Sequence, residues 1–227
     1  RTFLDMLLSQ LDHVYLQWLI THNRVLQQRN ALLKSLTPGQ QPEIQLLETL
    51  DEQLATVGDP LFRKRQEFLL SFLPKVKQLY TSIAGHYEDL QLSYQSELFE
   101  SGLSDLLRRN RVRDIATQRT CCGIHRDDLE FSLGRQQFKT TASQGQRKSL
   151  LFALKLAEME VLQEEKKFAP ILLLDDVFEK LDEERITSLL HRVCLENEGQ
   201  VLITDTSGER LERKLTELGM PFVMLSP

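Results

Sequence analysis

No apolar run in this sequence approaches the roughly 20 residues that span a bilayer, and its start, RTFLDM, has neither the basic segment nor the small-residue cleavage site of a signal peptide. A soluble protein is expected. Cysteine is scarce: Cys121, Cys122 and Cys194 are odd in number and two of them are adjacent, which excludes a disulfide framework and fits a reducing cytoplasm. An excess of positive charge is also missing. With 28 Lys and Arg against 33 Asp and Glu, the formal net charge is -5, so any affinity for nucleic acid or anionic membrane must come from a local patch. There is no initiator methionine, and further sequence is expected ahead of Arg1. What is present is ordinary for a globular protein: 41% hydrophobic and 27% charged residues over 227 positions, enough for one large domain or two small ones.

The two halves of the chain are patterned differently. From Leu4 to Leu36, the residues Leu4, Leu8, Leu11, Tyr15, Trp18, His22, Val25, Arg29, Leu32 and Leu36 recur at alternating steps of four and three. That is the heptad seam of a helix packed lengthwise on a partner. His22 and Arg29 interrupt the seam and are expected at its edge, with their polar ends in water. SLTPGQQPE, with Pro38, Gly39 and Pro42, then breaks the helix. A second helical pattern runs through Ile44, Leu47, Leu54, Val57 and Leu61 and resumes through Phe68, Phe72, Val76 and Leu79. Pro60 and Pro74 are each expected to kink or split it, because proline lacks the amide a helix needs. The simplest arrangement is an antiparallel helical hairpin.

After Gly85 the periodicity changes. LQLSY alternates apolar and polar, LEFSLGRQQFKTT reads as two short strands about a Gly134-Arg135 turn, and APILLLDD and QVLITDT are compact apolar runs with polar ends. Helical stretches lie at 145–167, 182–196 and 208–218. Strands and helices in alternation predict a mostly parallel sheet with helices on its faces, and ligands in such sheets sit beyond the carboxyl ends of the strands. Asp175, Asp176, Thr204 and Asp205 fall there.

The run Ile171 to Leu174 predicts a strand buried on both faces. Two adjacent carboxylates at its end are costly to desolvate unless they meet a cation or donors, and magnesium would compensate them. The alternative is that one acid merely caps the next helix; Asp182 has the position of a cap for DEERITSLL. Some thirty residues earlier, SQGQ opens a helix. Its free amides and the positive end of the helix dipole suit a phosphate, with Ser143 as an extra donor and Gln146 as donor or acceptor. The alternative there is a capping turn with Ser143 as N-cap.

Ser143-Gln144-Gly145-Gln146 resembles the signature motif of ABC-type ATPases, and ILLLDDVFEKLD resembles their Walker B strand and D-loop. GIHRDDLEF, ASQGQRKSLLFALKLAE, LLLDDVFEKLD and NRVLQQRNALLK together resemble the RecF family of bacterial recombination and gap-repair ATPases. The resemblance implies an α/β fold: residues 116–227 as the signature and Walker B part of an ABC-type head with a mostly parallel sheet, and residues 1–115 as an antiparallel, coiled-coil-like helical arm. It implies ATP and Mg2+ as cofactors, with Asp175 on the metal and Asp176 where relatives place a glutamate that polarises the attacking water. Asp182 would be the D-loop aspartate that touches a partner subunit. Ser143, Gly145 and Gln146 would contact the γ-phosphate of a nucleotide held by the other protomer, and Gln144 stands where transporters carry a glycine. The switch histidine expected after the last core strand is replaced by Asp205, between Thr204 and Thr206. Implied partners are gapped DNA and its single/double-strand junctions, a second copy in an ATP-bound homodimer, and recombination mediators such as RecR and RecO.

One element of the family is lacking. A P-loop ends in Gly-Lys-Ser/Thr, yet no glycine here is followed by lysine, so the chain alone is expected neither to bind ATP tightly nor to hydrolyse it. A hairpin helix of about thirty residues extends roughly 45 Å, too short for the long coiled coils of chromosome-cohesion ATPases, and no Cys-x-x-Cys hook marks a tip. Arg108, Arg109, Arg111 and Arg113, with Arg119 and Arg126 nearby, form either a grip on a DNA backbone or a solvated helix face. Cys121, Cys122 and His125 lack the spacing of a zinc site, and small buried residues on a strand are expected instead. The rival to an ATPase is a non-catalytic repair scaffold, and a further alternative is another chromosome ATPase of the SMC type.

Overall fold

The computed structural model describes residues 1–36, 44–196 and 199–225. The helical half opens with α1 (Thr2–Leu11) and α2 (His13–Ser35), followed by α3 (Ile44–Ala84). Then come β1 (Leu90–Gln95), α4 (Leu103–Thr117), β2 (Asp128–Leu133), β3 (Gln136–Gln137) and the single turn α5 (Phe138–Thr141). The last part runs α6 (Gln144–Lys166), β4 (Leu172–Leu174), α7 (Glu183–Leu195), β5 (Val201–Ile203) and α8 (Gly208–Glu217). Two compact units result: Arg1–Ser71 with Ser93–Glu130, and Phe72–Leu92 with Phe131–Pro227. The predicted break at Pro38, Gly39 and Pro42 lies outside the described residues.

In the first unit the hairpin is antiparallel. As α2 runs from Tyr15 to Arg29, its partners in α3 run back from Arg65 to Asp51. The heptad seam is not one helix, however. Asp12 leaves the helical conformation at φ -134° and its carboxylate accepts from the amides of Val14 and Tyr15, ending α1 and capping α2. The prolines behave in the opposite sense: α3 is continuous for 41 residues through both Pro60 and Pro74. Each proline leaves the carbonyl four residues before it without its helical donor, and those carbonyls belong to Thr56 and Leu70, both exposed residues, where solvent can compensate the missing bond. Meanwhile Leu54, Val57, Leu61, Leu69, Phe72 and Val76 stay buried on either side, and that packing holds the helix together.

His22 and Arg29 are not at the edge of the seam. They are 2% and 0% exposed. Arg29 stitches three helices: its Nε donates to Asp51 of α3 at 2.7 Å, and one terminal nitrogen to Asp114 of α4 at 2.7 Å and to Thr120 at 2.8 Å. Arg65 is a second such brace, donating to Asp5, Tyr15, Asp127 and the Ile124 carbonyl. Buried guanidiniums survive only when carboxylates and hydroxyls surround them in this way. Cys122 is buried in the turn after α4 rather than on a strand, and burial pushes its thiol up to about 12. No group of three or more metal-ligating side chains occurs among the described residues.

In the second unit, β2 pairs antiparallel with β3 (Ser132 opposite Gln137, Leu133 opposite Gln136) about the predicted turn, where Gly134 takes φ +57° as a tight hairpin requires. β4 and β5 pair in parallel, Leu172 to Leu174 against Val201 to Ile203. The core is built from α6 and α7, through Leu150, Ala153, Leu156, Ile186, Leu189, Leu190 and Val193. One expectation fails here. Leu172 and Leu174 are buried, but Ile171 and Leu173 are 62% and 70% exposed, so β4 is covered on one face only. No helix among the described residues is long and apolar enough to cross a membrane.

Candidate functional site

The first turn of α6 is fixed by a reciprocal pair of bonds. The Gln146 amide N–H donates to Ser143 Oγ at 3.2 Å, and the Ser143 N–H donates to Gln146 Oε1 at 2.9 Å. This is the capping box, and it changes what each residue can offer. Gln146 also donates from Nε2 to Glu88 Oε2 at 3.1 Å, so both ends of its side-chain amide are engaged within the chain. Ser143 accepts through its oxygen and keeps its hydroxyl proton to give. The first-turn amides of Gln144 and Gly145 have no acceptor within the helix, and Ser143 and Gln144 are exposed. Three donors therefore gather at the positive end of a 23-residue helix.

Facing this turn is the acidic loop that follows β4. Its order comes from the end of β5. The Thr204 amide donates to the Leu174 carbonyl, the Thr204 hydroxyl donates to the Asp175 carboxylate, and the Asp176 amide donates to Thr204 Oγ1 at 3.3 Å. Asp205 accepts from the amides of Phe178 at 2.8 Å and Ser207 at 2.9 Å, one on each carboxylate oxygen. Asp205, the residue in the place of a switch histidine, is thus occupied as a loop organiser. Asp175 is exposed, and one of its oxygens has no partner among the described residues. Asp176 sits beside it at φ +53°, in the left-handed region that a non-glycine residue occupies only under restraint. A side-chain hydrogen bond with Glu179, reinforced by the charges of Glu179 and Asp205, raises the Asp176 carboxyl above its ordinary value, against the pull of Lys148.

The loop closes on Asp182, which caps α7 by accepting from the Arg185 amide at 2.9 Å. Arg185 in turn is buried and donates to Ser149 of α6 at 2.9 Å and to Glu88. Burial alone would raise Glu88, but hydrogen bonds from Tyr80, Arg185 and Gln146 outweigh it, and its carboxyl is held below the usual range. Glu88 therefore links the capping box to α7. Gly145 has a local reason as well: a Cβ there would lie 3.0 Å from the carbonyl of Lys180, a tight contact that the loop backbone would have to yield to.

Sequence reasoning passed over Glu88, Arg185 and Lys148. Glu88 gives no signal, since it lies 58 positions from Gln146. Lys148 does give one. A cation near the start of a helix opposes the dipole, and such a residue asks for a specific acceptor. The basic run falls on α4, which presents Arg108, Arg109 and Arg113 to solvent, Arg108 also pairing with Asp105 at 2.6 Å. Arg111 is turned inward, to Glu48 at 3.1 Å and Asp51 at 3.2 Å.

No family model matches the chain. It is 44% identical over 212 residues to the DNA replication and repair protein RecF of Flavobacterium johnsoniae, a match that takes in 93% of this chain and 59% of the relative. It is 39% identical over 224 residues to the RecF of Bacteroides fragilis, covering 99% of the chain and 60% of the relative. The chain thus spans about three fifths of the length of these curated relatives. Among solved structures, it is similar to the recombination mediator protein RecF-ATP of the RecFOR pathway, with a TM-score of 0.76 and 29% identity over 92% of this chain and 57% of that one. The corresponding RecF-ATPrS structure gives a TM-score of 0.75 and 28% identity, over 91% of this chain and 57% of that one. Along nearly all of its own residues, the chain is a homologue of the RecF proteins, in sequence and in fold.

Proposed function

We propose that the chain supplies one half of a nucleotide site in a DNA-repair ATPase of the RecF kind, the half that presents the signature turn and the acidic strand end. The observation that carries this reading is the pairing of three free donors at the mouth of α6 with an exposed, pre-ordered Asp175 at the end of β4. The donors fit phosphate oxygens, and a hard carboxylate oxygen with one partner already on Thr204 fits a magnesium ion that keeps water and phosphate as its other ligands. The metal would neutralise charge on the phosphates. Asp175 would hold it, and Asp176, its carboxyl already raised, would accept the proton of the attacking water. Ser143, Gln144 and Gly145 would give hydrogen bonds to a γ-phosphate held by a second copy, whereas Gln146 acts by fixing their geometry. Asp182 would set the loop at the boundary with that copy.

On this reading the working protein is an ATP-dependent homodimer in the cytoplasm that binds gapped DNA and passes it to recombination mediators such as RecR and RecO. In a protein of the relatives' full length containing this chain, Asp175→Asn or Asp176→Asn is expected to lower ATP turnover by about a hundredfold, the scale of losing one group that acts on developing charge. No hydrolysis to lose would favour the scaffold reading, and undiminished hydrolysis in both variants would take Asp175 and Asp176 out of the catalytic roles. Arg108, Arg109 and Arg113 are the proposed phosphate-binding side chains on DNA. Reversing Arg108 and Arg109 to glutamate in the same protein should weaken binding on every sequence and reduce the slope of log affinity against log salt by about 0.9 for each duplex phosphate that is no longer neutralised. An unchanged slope would take this face out of the DNA site.

A further inference from the structure

We infer that Lys148 is a positioning residue that locks the acidic loop to the phosphate-binding turn, an inference that rests on the function proposed above. Lys148 stands in the second turn of α6, five residues beyond Ser143. Its ammonium donates to the carbonyl of Asp176 and, at 2.8 Å, to the carbonyl of Glu179. Both acceptors belong to a segment in which two non-glycine residues, Asp176 at φ +53° and Lys180 at φ +64°, are left-handed. Those two residues turn successive peptides so that the carbonyls of 176, 179 and 180 face the start of α6, where Gly145 leaves room for the third. A row of carbonyls pointing at the positive end of a helix is favourable, yet the strained conformers that create it need a restraint. Lys148 supplies it with a compact charge able to serve two acceptors at once.

The consequence concerns the chemistry. The carboxylate of Asp176 and the donors of Ser143, Gln144 and Gly145 are carried by different elements, and Lys148 is the side chain of α6 that bonds directly to the backbone bearing Asp176. Its ammonium is engaged by the backbone carbonyls of Asp176 and Glu179, so it should govern how often the two halves of the site are in register rather than how tightly nucleotide is held.

Two measurements test this, and only one depends on ATP turnover. In the 227-residue chain, hydrogen exchange at the amides of residues 176–180 should quicken at least tenfold in Lys148→Met and return to within about threefold of the parent in Lys148→Arg, which can serve the same carbonyls. Lys148→Gln, shorter and uncharged, should behave like Lys148→Met and stands in for it if that variant does not fold. In the longer protein, kcat should fall by roughly tenfold to a hundredfold in Lys148→Met, the scale of a small misplacement of a reacting group, with KM within about twofold and recovery in Lys148→Arg. Unchanged exchange, or equal exchange in the Met and Arg variants, overturns the inference. So does faster exchange with an unaltered kcat. If the longer protein shows no turnover while exchange responds as stated, the tether stands and the proposed ATPase function falls.

Discussion

Arg29→Met should destabilise the first unit by roughly 3–5 kcal/mol, the cost of breaking a buried ion pair by removing one partner. Asp51 would keep Arg111, at 3.2 Å, but Asp114 is fully buried and, among the described residues, would be left with only the Cys121 amide, at 2.9 Å, on its other oxygen. A buried carboxylate so placed must either stay charged without compensation or take up a proton, and both are unfavourable. Methionine fills much of the volume, which separates loss of charge from loss of packing. Arg29→Lys should fall between, since an ammonium keeps the charge but cannot fork between Asp51 and Asp114. For a chain of this size, the methionine variant should melt roughly 10 °C lower, at about 2–4 °C per kcal/mol. Thermal and urea unfolding measure both quantities. A loss under about 1 kcal/mol would mean that Arg29 braces nothing. A double variant that also replaces Asp114 by leucine should recover part of the deficit, because the stranded charge is then gone.

Acidification should cost the fold up to about 3 kcal/mol through His22 alone. Burial holds its imidazole down to about 4 from an ordinary 6.5, and repulsion from Arg65, and from His125 when that ring is protonated, pushes the same way. His125, with its ring centroid 6.3 Å away, is itself lowered by burial. A hydrogen bond with Asn23 pulls in the other direction, as does the charge of Asp5, without reversing the shift. Because the folded value lies below the unfolded one, the unfolded chain takes up the proton first as pH falls. The stability that neutral His22 allows is complete above about pH 6.5 and drains away towards pH 4. Protonation gains no acceptor at Nδ1, which is buried and has no partner among the described residues. Unfolding free energies from pH 7.5 to 4 should therefore converge for the parent and His22→Gln as the pH drops. Parallel curves would show that His22 does not titrate differently on folding.

How far the sequence alone could be read depends on whether a feature is local. The hairpin about Gly134, the start of α6 at Ser143 and the cap at Asp182 were all legible, because each is decided by a few neighbouring residues. The motifs assigned to the proposed nucleotide site are short and local in the same way. Seam periodicity gave the antiparallel hairpin but mistook its interior. A heptad pattern records which face is inward, not that Asp51, Asp114 and Thr120, from distant segments, would converge on Arg29 and bury a charged residue as deeply as any in the seam. The break at Asp12 was available as an N-cap signal and was hidden by a periodicity that continues across it. Pro60 and Pro74 misled for an energetic reason, since one missing bond at an exposed carbonyl is small against the apolar area α3 buries. In the site, Asp175, Ser143, Thr204 and Asp205 stand out in the sequence, whereas the bonds that order them, and the parts that Glu88 and Lys148 take, are set by tertiary approach.

The division into units has a bearing on biosynthesis. Neither unit is a continuous stretch: the chain passes from one to the other after residues 71, 92 and 130, inside α3, β1 and β2 in turn. A ribosome cannot release the first unit as a finished body at residue 71, because Asp114 and Thr120, which receive Arg29, have yet to be made. Until they emerge, α2 and the start of α3 carry a buried-type guanidinium with only Asp51 to meet it. The second unit waits longer still, its segment 72–92 idle until α6 brings Gln146 to Glu88. Such interleaving postpones much of the ordering to a late stage of synthesis, when residues far apart in sequence can first close on one another.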